Sequence, residues 1–182
     1  MAQTILAVIP ARWGSQGIYQ KNIRDVGGKP LIFYQTQVAL DSKLIDEVVV
    51  ATDSEEIAYV VNMLFGDKVE IVWRPANISG AVSKTEDTLS YVLDQKSADI
   101  IVTLQPTSPL NKVEYVDDCI QKVLDGCDSA CCVVLDYGFF MDDKELLERP
   151  MRQDRKPRVR ETGNCWVTKT DILKETNNRL GG

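Results

Sequence analysis

The chain contains no histidine. That excludes a serine–histidine–aspartate triad, a histidine-ligated metal and an imidazole general base. Positive charge is also in deficit. Lys+Arg number 21 against 27 Asp+Glu, a net charge of −6. This argues against a broad nucleic-acid face but leaves room for a local basic pocket that takes a small anion. No apolar run approaches ~18 residues, so nothing reads as a membrane span. The N-terminal MAQTILAVIPAR has neither the basic region nor the apolar length of a signal peptide. The five cysteines, Cys119, Cys127, Cys131, Cys132 and Cys165, are odd in number, include no Cys-x-x-Cys and have no histidine to complete a zinc set. They are expected to be reduced, buried or half-buried thiols in a cytoplasmic protein.

What is present reads as one domain over its 182 residues, long enough to bury a core without staples. Thr4–Ile9 is an apolar run closed by Pro10, the pattern of a buried strand. A loop rich in small residues follows to Lys21. Pro30 then opens a helix carrying Leu31, Phe33, Tyr34, Val38 and Leu40. Glu47–Thr52 is a second strand. Asp53-Ser54 ahead of Glu55-Glu56 marks a helix start, and Gly66 stops that helix after Phe65. Val69–Val72, Ile100–Leu104 and Ser129–Leu135 read as strands, Ser83–Leu93 and Val113–Leu124 as helices. Cys165–Thr168 returns to strand, and Thr170–Thr176 fits a short helix. Alternating strands and helices with doubly apolar strands predict an α/β fold with a largely parallel sheet covered on both faces. Gly138–Arg160 breaks the alternation and reads as an excursion from the sheet.

Ligands of open α/β sheets bind at the carboxyl ends of the strands, and three polar clusters sit there. Arg12-Trp13-Gly14-Ser15-Gln16-Gly17, ending in Lys21-Asn22, offers backbone donors and two cations. Such a loop can wrap a polyphosphate or be plainly solvated. It is neither a Gly-x-Gly-x-x-Gly fingerprint nor a Walker loop. Thr52-Asp53-Ser54 suits a helix cap. Gln105-Pro106-Thr107-Ser108-Pro109 is stiffened by two prolines; it either aims Gln105 and the hydroxyls at a ligand or is only a rigid turn.

Together these blocks resemble a family. Ile9-Pro10-Ala11-Arg12-x-Gly14-Ser15-x-Gly17-Ile18-x-x-Lys21-Asn22, Gly28-Lys29-Pro30-Leu31-Ile32, Thr52-Asp53-Ser54-Glu55-Glu56-Ile57-Ala58, Arg74-Pro75 and Leu104-Gln105-Pro106-Thr107-Ser108-Pro109-Leu110 are similar, in order, to the CMP-sialic acid synthetases, or acylneuraminate cytidylyltransferases. The resemblance implies a three-layer Rossmann-like nucleotide-diphospho-sugar transferase fold. It implies that CTP and a nonulosonic acid give the CMP-sugar and pyrophosphate with Mg²⁺, catalysed mainly by positioning and charge neutralisation. The attacking hydroxyl's proton would then go to a metal-bound hydroxide, a carboxylate or water.

By the same resemblance Arg12, Ser15, Lys21 and Asn22 would hold the triphosphate, with Arg12 and Lys21 nearest the chemistry. Arg74 and Ser83 would meet base and ribose. Gln105, Thr107, Arg152, Trp166 and Leu180 would face the sugar, Arg152 through the sugar acid's carboxylate. A homodimer is implied, built by the excursion at 138–160, where Phe139, Phe140 and Met141 would serve either as contact or as core. The sequence departs from the family at Gln16, where a lysine is common. It departs again at Ala81, often an aspartate, and at Glu161-Thr162-Gly163-Asn164, usually Asn-Gly-Ala. The family continues past a Gly-Gly like Gly181-Gly182 to a Ser-x-Asp-x-Asp motif that binds the magnesium. With no equivalent carboxylate pair recognisable before it, and Asp53 at most a partial metal contact, the chain is expected to bind CTP or CDP but to turn over poorly or not at all. An enzyme for another ulosonic acid such as Kdo, and a nucleotide-binding module without catalysis, are the alternatives.

Overall fold

Alternation along the first strand already specifies three layers. In β1 (Ile5–Pro10) the side chains of Ile5, Ala7 and Ile9 enter one buried cluster and those of Leu6 and Val8 another, because successive strand residues point to opposite faces. The structure, a computed structural model, describes residues 3–14, 17–80, 82–141 and 147–181. After β1 come a short hairpin, β2 (Asp25–Val26) and β3 (Lys29–Pro30), then α1 (Leu31–Asp41), β4 (Glu47–Thr52), α2 (Glu55–Phe65), β5 (Glu70–Trp73) and α3 (Thr85–Leu93). β6 (Ile100–Thr103), α4 (Val113–Leu124), β7 (Ser129–Asp136), β8 (Arg158–Lys169) and α5 (Thr170–Thr176) complete the order.

Six strands form one sheet in the order β5-β4-β1-β6-β8-β7. β5, β4, β1 and β6 are mutually parallel, while β8 is antiparallel to both neighbours. On one face Ala7, Ile9, Val50 and Val102 pack against Ile32 of α1, Ile57 and Val61 of α2, and Val116, Ile120 and Val123 of α4. On the other, Leu6, Val8, Val49 and Ile101 meet Leu89 and Val92 of α3 and Leu173 of α5. Both faces of β1, β4 and β6 are therefore dry, which explains their apolar runs, whereas Glu70 and Trp73 of the edge strand β5 are exposed. No helix among the described residues is long and apolar enough to cross a membrane.

Local signals act where expected. The Ser54 hydroxyl accepts from the Ile57 amide at 3.2 Å and caps α2. At the other end of α2, Gly66 takes φ 56°. The two-residue turn Gly27-Gly28 has φ of 65° and 87°, values open to glycine and needed for a tight hairpin.

One expectation is corrected. β8 begins at Arg158, inside the segment read as an excursion, and pairs Arg158 with Asp136 and Arg160 with Val134. Backbone pairing rather than apolar pattern builds this part, so the charged run disguised it. The outer ends of β7 and β8 form a ribbon beyond the covered sheet, set off by a register irregularity between Cys131 and Val133. Val133, Val134, Leu135 and Val159 are exposed there, so β7 is not the doubly buried strand its composition suggests.

Candidate active site

The parallel strands β1, β4 and β6 all end on one edge of the sheet, and β1 lies between the other two. Loops leaving adjacent carboxyl ends diverge and open a crevice. The crevice here is a cleft of ≈ 180 Å³ lined by Pro10, Arg12, Lys21, Asn22, Arg74, Ser83, Lys84, Thr85, Thr88, Gln105, Pro106 and Thr107. It is smaller than the roughly 300–1,000 Å³ of common ligand pockets and is half open to solvent.

The first wall is the loop after β1. Arg12 donates through Nη1 to the Gly80 carbonyl at 3.0 Å. Buried Asn22 donates from Nδ2 to the Arg12 carbonyl at 2.9 Å, closing the loop back on its origin. Asp53, at the end of β4, accepts from the Trp13 amide at 2.7 Å. Asp53 thus braces this loop while Ser54 caps α2, a division of labour the sequence alone does not reveal. Lys21 opens a short 3-10 turn, Lys21–Ile23, after Gln20 in a left-handed conformation with φ 50°.

Arg74 supplies the second wall, directly after β5. It is only 8% exposed and donates from Nη2 to the Ile78 carbonyl. Its Nε is buried without a partner among the described residues, as is the Thr88 hydroxyl beside it in the lining. Burial pulls the guanidinium below an arginine's ordinary value, the attraction of Asp53 opposes this, and the like charge of Arg12 lowers it further. A buried cation that makes no ion pair among the described residues is costly; an anion or acceptor in the cleft would relieve it.

The third wall is Gln105-Pro106-Thr107, after β6. Lys84, Thr85 and Thr88, at the start of α3, were not anticipated as lining. The acid-rich first turn Glu86-Asp87 was the available signal, since Asp87 accepts from the Lys84 amide at 2.8 Å and fixes the helix start.

The cleft therefore gathers Arg12, Lys21, Asn22, Arg74, Ser83, Gln105 and Thr107. Ser15, Gln16 and Ala81 lie outside the described residues. Three other expected sugar contacts are not brought there. Trp166 is buried, its ring lies 4.4 Å from the Arg179 guanidinium, and its Nε1 donates to Glu161 at 2.9 Å; it presents no open stacking wall within this chain. Arg152 lies over the Tyr137 ring at 5.2 Å and lines a separate groove with Asp136 and Arg160. Leu180 stays on the far side of β8, its carbonyl accepting from the Ser129 hydroxyl. Phe139 is neither core nor a bare apolar contact: the Arg149 and Arg155 guanidinium groups lie 4.6 and 4.1 Å from its ring centre.

A magnesium ion is implied by the resemblance. The described residues hold no cluster of three acidic or thiol groups able to bind a metal, and one oxygen of Asp53 is committed to the Trp13 amide. Among the described residues there is therefore no all-protein cage for magnesium, an ion that commonly takes one or two carboxylates together with substrate phosphates.

Sequence comparison places this cleft in context. The family profile described as Cytidylyltransferase matches residues 6–154. N-acylneuraminate cytidylyltransferase A of Danio rerio is 31% identical over 94% of this chain and 43% of its own length. The CMP-N,N'-diacetyllegionaminic acid synthase of Legionella pneumophila is 37% identical over 64% of this chain and 52% of its own. A 3-deoxy-manno-octulosonate cytidylyltransferase of Geobacter sulfurreducens is 34% identical over 64% and 44%. The chain thus spans about half the length of the curated relatives it matches. A solved CMP:2-keto-3-deoxy-manno-octonic acid synthetase complexed with CTP shares the fold, with TM-score 0.73 and 22% identity over 96% of this chain and 77% of that one. Because the matched span contains every loop that lines the cleft, the strand-end site and the profile describe the same unit, and the chain belongs to the cytidylyltransferase family.

Proposed function

We propose that this chain provides the nucleotide site and the acceptor-facing wall of an enzyme transferring CMP from CTP to a nonulosonic acid of the sialic acid type. The observation that carries the reading is the cleft itself. Four cations, Arg12, Lys21, Arg74 and Lys84, meet there without forming an ion pair among the described residues, opposite a wall of neutral hydrogen-bonding groups, Gln105 and Thr107.

In this reaction the acceptor's anomeric hydroxyl forms a new O–P bond at the α-phosphorus. The bond from that phosphorus to the bridging oxygen breaks, and pyrophosphate leaves with the electron pair. Charge shifts onto the leaving group, and Arg12 and Lys21 stabilise it from one side in a partly dry cleft. Arg74, held by the Ile78 carbonyl, presents its remaining donors to the nucleoside. Gln105 and Thr107 orient the acceptor, which supports catalysis by placement rather than by proton transfer. With no histidine in the chain, the hydroxyl proton passes to a carboxylate or to water.

Calorimetry with CTP, followed by pyrophosphate release with N-acetylneuraminate, legionaminate, pseudaminate and Kdo, tests this. CTP binding with preference for a sialic-type acid is expected. Activity on Kdo alone would replace the acceptor, and no CTP-dependent heat or thermal shift would overturn the reading. A homodimer through the exposed ribbon face of Val133, Leu135 and Val159 is part of the proposal. Sedimentation should report a dimer that Leu135→Asp converts to monomer; a monomeric unsubstituted chain removes this part.

A further inference from the structure

Gln35 is the one glutamine in α1 with no exposed surface at all. Burying an amide costs free energy unless its donors and acceptor are satisfied. Here they are. Nε2 donates to the Ser108 carbonyl at 3.0 Å and to the Asn164 carbonyl at 3.3 Å. Oε1 accepts from Asn111 Nδ2 at 3.0 Å. Asn111 Oδ1 in turn accepts from Asn164 Nδ2 at 2.7 Å, and the Ser108 hydroxyl donates to the Gly163 carbonyl at 3.2 Å. One side chain on α1 therefore joins the loop after β6 to strand β8.

That loop needs an outside tether. Pro106 and Pro109 have no N–H, so the backbone has few donors with which to hold its own shape. Its internal bonds are single turns, from the Ser108 amide to the Gln105 carbonyl at 3.3 Å and from the Asn111 amide to the Ser108 carbonyl at 3.2 Å. Gln105 and Thr107, which line the cleft, precede the clamped Ser108 directly. A fully satisfied buried network of this kind is rigid, and one missing member leaves several polar groups unpaired.

We propose that Gln35, with Asn111 and Asn164, is a positioning residue that fixes the 105–111 loop so that Gln105 and Thr107 face the acceptor, a polyhydroxylated sugar acid. The clamp acts on the acceptor wall alone, because none of its bonds reaches Arg12, Lys21 or Arg74. The assignment rests on the functional reading above for the identity of the acceptor, whereas the clamp itself does not.

The test uses the complete chain with Gln35→Met, which keeps length and burial but removes the amide, and Gln35→Glu, which keeps the acceptor for Asn111 but cannot donate to the Ser108 and Asn164 carbonyls. Asn111→Ala cuts the same network from a half-buried position should either core variant fail to fold. Hydrogen exchange of the peptide spanning 103–112 should quicken by about tenfold or more while α2 is unchanged. N-acetylneuraminate affinity should fall by about tenfold or more, with CTP affinity within about threefold of the unsubstituted chain. Unchanged loop exchange overturns the clamp. Quickened exchange with unaltered acceptor affinity, or a parallel fall in both affinities, overturns the positioning role. Should the unsubstituted chain bind neither ligand, the functional reading and the acceptor assignment fail together, and the clamp stands or falls on exchange alone.

Discussion

The parallel half of the sheet and the outer β7–β8 ribbon solve opposite problems. In β1, β4 and β6 both faces are buried, and the polar work is confined to the loops at the strand ends. In the ribbon the strands carry exposed Val133, Val134, Leu135 and Val159, and Arg152 and Arg155 of the segment that joins them lie over the rings of Tyr137 and Phe139 instead of entering the cleft. The same residue type therefore means different things in the two places. Arg74 is buried beside a cavity, whereas Arg155, whose Nε is likewise buried without a partner among the described residues, covers Phe139. On the proposed function, the cleft cations Arg12, Lys21 and Arg74 answer to a ligand, whereas Arg152 and Arg155 answer to their neighbours.

The sharpest way to break this contrast is Lys21→Ala. Loss of a charge-assisted contact of about 1.5–3 kcal/mol should weaken CTP binding roughly tenfold to a hundredfold by calorimetry, with the melting temperature nearly unmoved. An equal loss of fold stability would make Lys21 structural. Arg74→Met comes next. It should cost CTP affinity by a similar or smaller factor while leaving the melting temperature level or higher, because an unpaired buried charge is removed. A marked fall in melting temperature would mean that the bond to the Ile78 carbonyl outweighs the burial cost.

Ser54→Ala should lower stability by about 1 kcal/mol in urea titration without affecting CTP. It should also change the pH response. The Ser54 hydroxyl holds the Glu56 carboxyl below its ordinary value. The associated stability is present above the ordinary glutamate range and is lost as pH falls through the lowered value. That acid-side loss should shrink in Ser54→Ala, and an identical acid titration would separate the two residues. Arg155→Ala is the smallest change, about 0.5–1 kcal/mol for a cation over a ring at the surface. It should leave CTP affinity intact; a large loss of nucleotide binding would dissolve the distinction between the two regions.

The fold was largely readable because its parallel strands are short apolar runs punctuated by strong signals. Pro10 ends β1, Ser54 caps α2 and Gly66 stops it. The first part of β8 was not readable, since Arg158–Glu161 is held by backbone pairing to β7 while its side chains stay in water. The cleft followed the same rule. Arg12 and Gln105 stand just past strand ends and Lys21 closes the loop after β1, so all three could be placed from the topology. Lys84 and Thr88 come from a helix start, and local spacing does not place them in the cleft. Gln35, in the middle of α1, reaches instead Ser108, Asn111 and Asn164, which its own helix gives no sign of. Trp166 shows the converse: an aromatic on an apolar strand suited both core and wall, and the Arg179 guanidinium and the Glu161 carboxylate decided for the core.

The reversed direction of β8 has an evolutionary consequence. Its residues Gly163 and Asn164 meet the loop after β6, while the loops after β1 and β5 belong to earlier, independent strand ends. On the proposed function, insertions or deletions between β7 and β8 can therefore remodel what approaches the acceptor without disturbing the nucleotide half. In such an architecture, substrate range can diversify at one end of a single antiparallel strand while the donor chemistry is inherited unchanged.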